Sequence, residues 1–91
     1  MNFATYLKSI MEEHALKAAS VHEVSKDIDE KGRGLAPAHI SMFLSGKRYP
    51  SASSILLLAS SLSELTEKPR ETFILGILSH IEKDFSKGVG R

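Results

Sequence analysis

The sequence predicts an all-helical domain built from five short helices. Apolar residues recur at spacings of three and four along most of the chain, and the alternation typical of strands is missing. The chain has 91 residues, a size that suits one compact domain, and no cysteine that could form a disulfide or a thiolate metal site. We therefore predict one domain over residues 1–85 and a flexible tail over residues 86–91.

Two helices are predicted in the first third of the chain. The first is amphipathic, with Asn2 as its cap and with the apolar residues Phe3, Leu7, Ile10 and Met11. The second is predicted to begin at Ser20, because Ser20 and Glu23 have the spacing of a capping box. Its apolar face consists of Val21, Val24 and Ile28.

A charged, glycine-containing segment separates these helices from a third one. Residues 29–34 read DEKGRG and predict a solvated loop. Pro37 suits the first turn of a helix, because the amides there have no intrahelical partner. The third helix is predicted to run from Pro37 to Ser45, with an apolar side formed by Ile40, Phe43 and Leu44. Gly46 stands where a left-handed C-terminal cap is expected, and residues 47–50 form a turn.

The last two predicted helices are the most apolar. Ser51 is expected to cap the fourth, over about residues 52–63, which we predict to be buried on more than one side through Ile55, Leu56, Leu57, Leu58, Ala59 and Leu62. The fifth, over about residues 69–85, carries a wide stripe of Phe73, Ile74, Ile77, Leu78, Ile81 and Phe85. This stripe can cover the core and can also form a dimer interface, which we predict it does.

Positive charge is concentrated in the middle of the chain, although the net charge is only +1. Residues 31–63 include no acidic residue, whereas the rest of the chain has eight basic and eleven acidic residues. The four basic residues of the middle segment are Lys31, Arg33, Lys47 and Arg48. A localised positive surface of this kind favours a polyanion such as double-stranded DNA as a partner.

The segment ISMFLSGKRYPS, residues 40–51, resembles the end of the recognition helix and the following turn of helix-turn-helix regulators related to phage lambda repressor and Cro. Weaker similarity to this XRE-type family extends over roughly residues 3–65. The resemblance implies a five-helix lambda-repressor-like domain, whose second and third helices form the helix-turn-helix and whose third helix enters the major groove. The loop at residues 29–34 is longer than the family's usual turn of about four residues.

The resemblance also implies which residues touch DNA. The base-facing positions hold Pro37, Ala38, His39, Ser41 and Met42. The phosphate-facing positions hold Ser20, Ser45, Lys47 and Arg48, and the long loop is expected to carry Lys31 and Arg33 to a phosphate strand. Because Pro37 and Ala38 replace the Gln or Arg common in the family, base recognition is expected to depend on apolar contact and DNA shape.

Two residues of this set have alternative interpretations. Tyr49 can donate its hydroxyl to a phosphate or pack its ring over the turn. Met42 can meet a thymine methyl group or fill the core, and its place opposite Ile40 and Phe43 favours exposure.

Several other functions are not supported by the sequence. No glycine-rich phosphate loop, activated nucleophile or catalytic carboxylate pair is found, so we predict neither enzyme activity nor a cofactor. His80 and Asp84 have the helical spacing of metal ligands, but two groups are too few for a structural site, and no metal is predicted. The apolar runs are too short to cross a bilayer and no targeting signal is found, so we expect a cytoplasmic protein without membrane contact.

Together these features predict a transcriptional regulator, a repressor that binds a palindromic operator as a homodimer. The alternative is a protein-interaction module, such as an antitoxin or an inhibitor, that has the same fold and binds another protein through its fifth helix.

Overall fold

The computed structural model describes the backbone of residues 2–89 and the side chains of residues 2–85. Its helices are α1 (Phe3–Glu13), α2 (Ala18–Ile28), α3 (Pro37–Leu44), α4 (Ala52–Thr66) and α5 (Arg70–Val89). All regular secondary structure in this part of the chain is helical, which confirms the prediction of an all-helical chain with five helices. α4 packs against both α2 and α5, while α1 contacts α3 and α5, and α2 also contacts α3.

Three helix starts follow the local signals in the sequence. The Asn2 side chain accepts a hydrogen bond from the Thr5 amide at 2.8 Å and caps α1. Pro37 occupies the first turn of α3, and the Ser51 hydroxyl accepts from the Ser54 amide at 3.3 Å at the start of α4. Asn2 and Ser51 each accept a hydrogen bond from an otherwise unpaired amide of a first helical turn, and Pro37 has no amide hydrogen that needs a partner.

The predicted start of α2 is wrong. α2 begins at Ala18, with Lys17 as a cap that makes no side-chain hydrogen bond, and the Ser20 amide already donates to the Lys17 carbonyl at 3.0 Å. Ser20 and Glu23 therefore do not form a capping box. The reason is the preceding turn, in which Ala15 has a φ of 53° and the Leu16 amide bonds the Met11 carbonyl at 2.7 Å. This closure of α1 lets the next helix start two residues before Ser20.

The core is formed by the apolar faces of all five helices and by Leu35 from the loop before α3. Its buried hydrophobic residues are Phe3, Leu7, Met11, Val21, Leu35, Ile40, Phe43, Ile55, Leu58, Ala59, Leu62, Phe73 and Ile77. The prediction that α4 is buried on more than one side holds for Ile55, Leu58 and Leu62. It is wrong for Leu56, which is 51% exposed because it lies on the side of α4 that no other helix covers.

The last two helices are longer than the sequence predicts. α4 continues to Thr66, where Glu67 takes a left-handed conformation with a φ of 61°. α5 continues to Val89, four residues beyond the predicted end at Phe85, and the remaining two residues of the predicted tail, 90–91, lie outside the described residues. None of the described helices has the length and hydrophobicity that a membrane span requires.

Gly76 permits a close crossing of α1 and α5. The Tyr6 ring lies over Gly76 and stacks on the His80 ring, with the ring centroids 4.3 Å apart. A Cβ atom at position 76 would overlap the Tyr6 hydroxyl. Burial at this crossing also raises the pKa of the Tyr6 phenol above its usual value.

We expect Gly76→Ala to destabilise the protein by about 1–2 kcal/mol, since the displaced Tyr6 ring costs more than the roughly 1 kcal/mol that alanine adds to a helix. Urea unfolding followed by circular dichroism measures the change. In a Tyr6→Ala background the same substitution should become stabilising. A stabilising effect of Gly76→Ala in the wild-type chain would contradict the close crossing.

Candidate nucleic-acid interface

α3 is two-sided. Ile40 and Phe43 are buried and Leu44 is half-buried against the rest of the domain. The opposite side consists of the exposed residues Pro37, Ala38, His39, Ser41 and Met42, followed by the exposed C-cap Ser45. Met42 is 40% exposed, which confirms its predicted exposure. α3 therefore presents small side chains, the His39 imidazole and one flexible apolar side chain to solvent.

The turn after α3 is closed by its own backbone. The Gly46 amide donates to the Phe43 carbonyl at 3.2 Å, and the Lys47 amide donates to the Met42 carbonyl at 3.0 Å. This pair of bonds is the Schellman motif, which requires a left-handed residue where Gly46 has a φ of 76°. The predicted C-terminal cap is confirmed. Lys47 and Arg48 follow directly after the last turn of α3, and both residues are exposed.

A shallow hollow lies between α3 and the start of α4. Its polar lining residues are His39, Arg48, Ser51 and Ser54. Ser54 is a residue that the sequence analysis missed, although its spacing from the cap Ser51 is a local signal. The Ser51 hydroxyl donates to the Ser54 hydroxyl at 3.1 Å. The hollow thus combines a guanidinium, an imidazole and two hydroxyls, which are groups that can bind a phosphate oxygen.

The loop before α3 is ordered by one carboxylate. The Asp29 side chain accepts hydrogen bonds from the amides of Gly34 at 2.9 Å and of Lys31 and Arg33 at 3.2 Å each. Gly32 and Gly34 take positive φ angles of 70° and 66° within this loop. The predicted loop is confirmed. Its bends leave the Lys31 and Arg33 side chains exposed.

The end of the loop is fastened to α2. The Leu35 amide donates to the Ser25 hydroxyl and the Leu35 carbonyl accepts from His22 Nδ1, both at 2.8 Å. The buried Ser25 hydroxyl in turn donates to the His22 carbonyl at 2.8 Å. The loop is therefore long but tied to α2 at both ends.

The hydrogen bonds from Gly34, Lys31 and Arg33 hold the pKa of Asp29 below its usual value. A carboxylate with a lowered folded pKa stabilises the loop above the ordinary Asp pKa of about 3.9, and this stabilisation is lost as the pH falls through the lowered value. We expect the Gly34 amide to lose hydrogen-exchange protection in that acidic range. Asp29→Asn should weaken protection already at neutral pH and remove the acid step. Asp27→Asn is the control, and an unchanged acid step in Asp29→Asn would contradict the assignment.

Tyr49 packs over the turn rather than pointing freely toward solvent. Its hydroxyl donates to Asp84 Oδ2 at 2.8 Å, and its ring lies 5.9 Å from the Phe3 ring and 5.1 Å from the Phe85 ring between centroids. The hydrogen bond to Asp84 raises the pKa of the Tyr49 phenol. Of the two sequence-based interpretations, the structure therefore supports packing. In this conformation the Tyr49 hydroxyl donates its hydrogen bond to Asp84, and a phosphate contact of this hydroxyl stays a prediction.

The predicted dimer stripe divides into a buried and an exposed part. Phe73 and Ile77 are 3% and 0% exposed in the core, so the prediction is wrong for these two residues, which have no surface left for a second chain. Ile74 and Ile81 are half-buried, and Leu78 and Phe85 are exposed. Leu75, which the sequence analysis did not include, is 68% exposed.

His80 and Asp84, which have metal-ligand spacing, are engaged in other contacts. His80 Nδ1 donates to the Gly76 carbonyl at 2.7 Å, and Asp84 accepts from Tyr49 and from the Phe3 amide. Within the described residues, no group of three or more His, Cys, Asp or Glu side chains could hold a metal ion.

Comparisons of the chain with protein-family models, curated proteins and solved structures gave no match. The resemblance to helix-turn-helix regulators therefore rests on the residues quoted above.

Exposed cations flank α3 on both sides along the chain. Two exposed cations precede α3 in the loop, and two follow it in the turn: Lys31, Arg33, Lys47 and Arg48. Ser20 is half-buried in the first turn of α2, away from the cap position that the sequence predicts for it. α3 thus lies, along the chain, between two pairs of exposed cations within residues 31–63, a segment without acidic residues.

Proposed function

We propose that this protein is a sequence-specific DNA-binding transcriptional regulator, a repressor that acts as a homodimer on a palindromic operator. The observation that carries the proposal is the exposed side of α3 with two cations on either side of it in the chain. Such cations neutralise phosphates, and the helix between them is the element that reads base edges. The proposal includes the helix-turn-helix arrangement of α2 and α3 and the cytoplasmic location that the sequence predicts.

In the proposed complex, α3 enters the major groove. Lys47 and Arg48 contact one phosphate strand, and Lys31 and Arg33 contact the other strand across the groove. Base recognition uses the Ser41 hydroxyl, the Met42 thioether and the Ala38 methyl group, the last two against thymine methyl groups. With so few hydrogen-bonding side chains on α3, most of the affinity comes from phosphate and depends strongly on salt.

A twofold dimer would present two copies of α3 about 34 Å apart, one turn of DNA. The exposed residues Leu75, Leu78 and Phe85 give α5 an apolar surface for such a pairing. Phe73 and Ile77 have no part in it.

Fluorescence anisotropy with labelled duplexes at several salt concentrations tests the proposal. If four cations contact phosphate, the logarithm of the binding constant should fall with the logarithm of salt with a slope of about −3.6 per protomer, or about −7 for a dimer. Selection from a random duplex pool should yield a palindrome. No binding to any duplex at low salt would overturn the proposal.

Met42→Ala separates base recognition from phosphate binding. We expect it to change the preference among selected sequences by about 1 kcal/mol at the position it touches, with an unchanged salt slope. Leu56→Ala, which shortens an exposed apolar side chain on α4, is the control. Equal loss on all sequences in Met42→Ala would argue against a base contact.

The exposed apolar residues of α5 also favour a second candidate function. Leu75 and Leu78 are 68% and 47% exposed, and a protein partner in place of a second copy could cover them. An antitoxin or inhibitor with this surface does not need the exposed cations of the loop and the turn. Binding that survives loss of Lys47 and Arg48 but not of Leu75 and Leu78 would favour this function.

A further inference from the structure

Asp84, near the end of α5, joins three parts of the chain. Its Oδ2 atom accepts a hydrogen bond from the Phe3 amide at 3.1 Å, at the start of α1, and one from the Tyr49 hydroxyl at 2.8 Å. Asp84 is 81 residues from Phe3 and 35 residues from Tyr49 along the chain. A single carboxylate oxygen thus connects α1, α5 and the turn between α3 and α4.

Few backbone hydrogen bonds hold the turn between α3 and α4 in place. Lys47 is bonded to the end of α3, and Ser51 starts α4. Between them, no backbone hydrogen bond within the described residues holds Arg48, Tyr49 or Pro50. The path of the turn is therefore set by the buried Pro50 and by Tyr49, whose ring lies beside Phe3 and Phe85 and whose hydroxyl is held by Asp84.

We propose that Asp84 is a positioning residue for DNA binding: it holds Tyr49, and through Tyr49 it keeps the Lys47–Arg48 turn in the geometry that presents both cations to phosphate. This inference rests on the proposed function. Asp84 itself touches no DNA. It acts by reducing the conformations of the turn, so that less entropy is lost when the two cations bind.

Considered only as a negative charge, Asp84 is expected to weaken DNA binding instead of supporting it. A carboxylate near a phosphate-binding turn repels DNA, so its removal should tighten binding. If Asp84 positions the turn, its removal should weaken binding although the protein becomes more positive. The sign of the change therefore distinguishes the two roles.

The experiment measures binding of a labelled duplex of about 30 base pairs, long enough for two half-sites, to five proteins at low salt. These are the wild type, Asp84→Ala, Asp84→Asn, Tyr49→Phe and Glu82→Ala. Both Asp84→Ala and Tyr49→Phe remove the Tyr49–Asp84 hydrogen bond, and we expect each variant to bind roughly three- to tenfold more weakly. Asp84→Asn keeps an acceptor oxygen and should restore binding. Glu82→Ala removes an exposed acid two residues away and should bind as well as the wild type or better.

Two further measurements test whether Asp84 acts through Tyr49 and not through its contact with the Phe3 amide. Tyr49→Phe leaves the Phe3 contact of Asp84 intact, and combining it with Asp84→Ala should cause no additional loss of binding. The Tyr6→Phe variant leaves Tyr49 as the one tyrosine that titrates. In this variant without DNA, the pKa of the Tyr49 phenol should fall toward its usual value when Asp84→Ala is added, as followed by ultraviolet titration.

The outcomes are distinct. A wild type that binds no duplex overturns the proposed function. If the wild type binds and Asp84→Ala binds equally or more tightly, only the positioning role fails. It also fails if Tyr49→Phe weakens binding and Asp84→Ala does not, since the hydroxyl would then contact phosphate directly.

Discussion

Gly34→Ala is expected to lower the free energy of unfolding by about 2–5 kcal/mol, the largest stability effect of a small substitution in the loop before α3. Gly34 has a φ of 66°, which an alanine adopts at a cost of about 1–2 kcal/mol. In addition, a Cβ there would lie 2.5 Å from Ser25 Oγ and 2.6 Å from the Lys26 backbone nitrogen. Since the Lys26 backbone belongs to α2, it cannot move without disturbing the helix that the loop is tied to.

Gly32→Ala is the matched control. Gly32 has a similar φ of 70°, but a Cβ there meets nothing within 4 Å. We therefore expect Gly32→Ala to cost only about 1–2 kcal/mol, the conformational part of the effect. Urea unfolding with equal m-values in both variants gives the difference directly. Equal losses in the two variants would show that Gly34 does not approach α2 closely.

Reversing the charges of Lys47 and Arg48 is expected to reduce DNA affinity roughly a hundredfold or more. Two lost charge-assisted bonds of about 1.5 kcal/mol each correspond to such a factor before the added repulsion is counted. The salt slope should also become smaller in magnitude by about two per protomer. Binding of Lys47→Glu/Arg48→Glu to the labelled duplex, measured over a range of salt, gives both values.

Lys68→Glu/Arg70→Glu is the control, because it changes the net charge by the same amount. Lys68 and Arg70 lie beyond the far end of α4, whose 15 residues span about 22 Å from the end that adjoins the Lys47–Arg48 turn. If affinity depends only on net charge, both double variants lose it equally, and the turn is not the phosphate contact. A small loss in the control and a large loss at the turn locate the interface.

The helices could be predicted because their signals are local. Asn2, Pro37, Gly46 and Ser51 act on amides and carbonyls within one helical turn, and all four occupy the predicted positions. The capping box at Ser20 was also a local signal, but it was overridden by the turn at Ala15, whose left-handed conformation no residue preference indicates.

The candidate site was only partly predictable from the sequence. The exposed side of α3 follows from the period of its apolar residues, and the exposed basic residues follow from charge and from the loop and turn that carry them. The role of Asp29 in ordering the loop has no such periodic signal, since it depends on three amides turned toward one carboxylate.

The sequence alone determined the helical class, most helix starts and the position of the basic segment, since each depends on residues within a few positions of one another. Only the tertiary structure decided which side of an apolar helix is covered. Phe73 and Ile77 are buried while Leu75 and Leu78 are exposed, because α5 packs against α4 and α1 on one side only. It also decided that Tyr49 meets Asp84, a contact between residues 35 positions apart that packing alone creates.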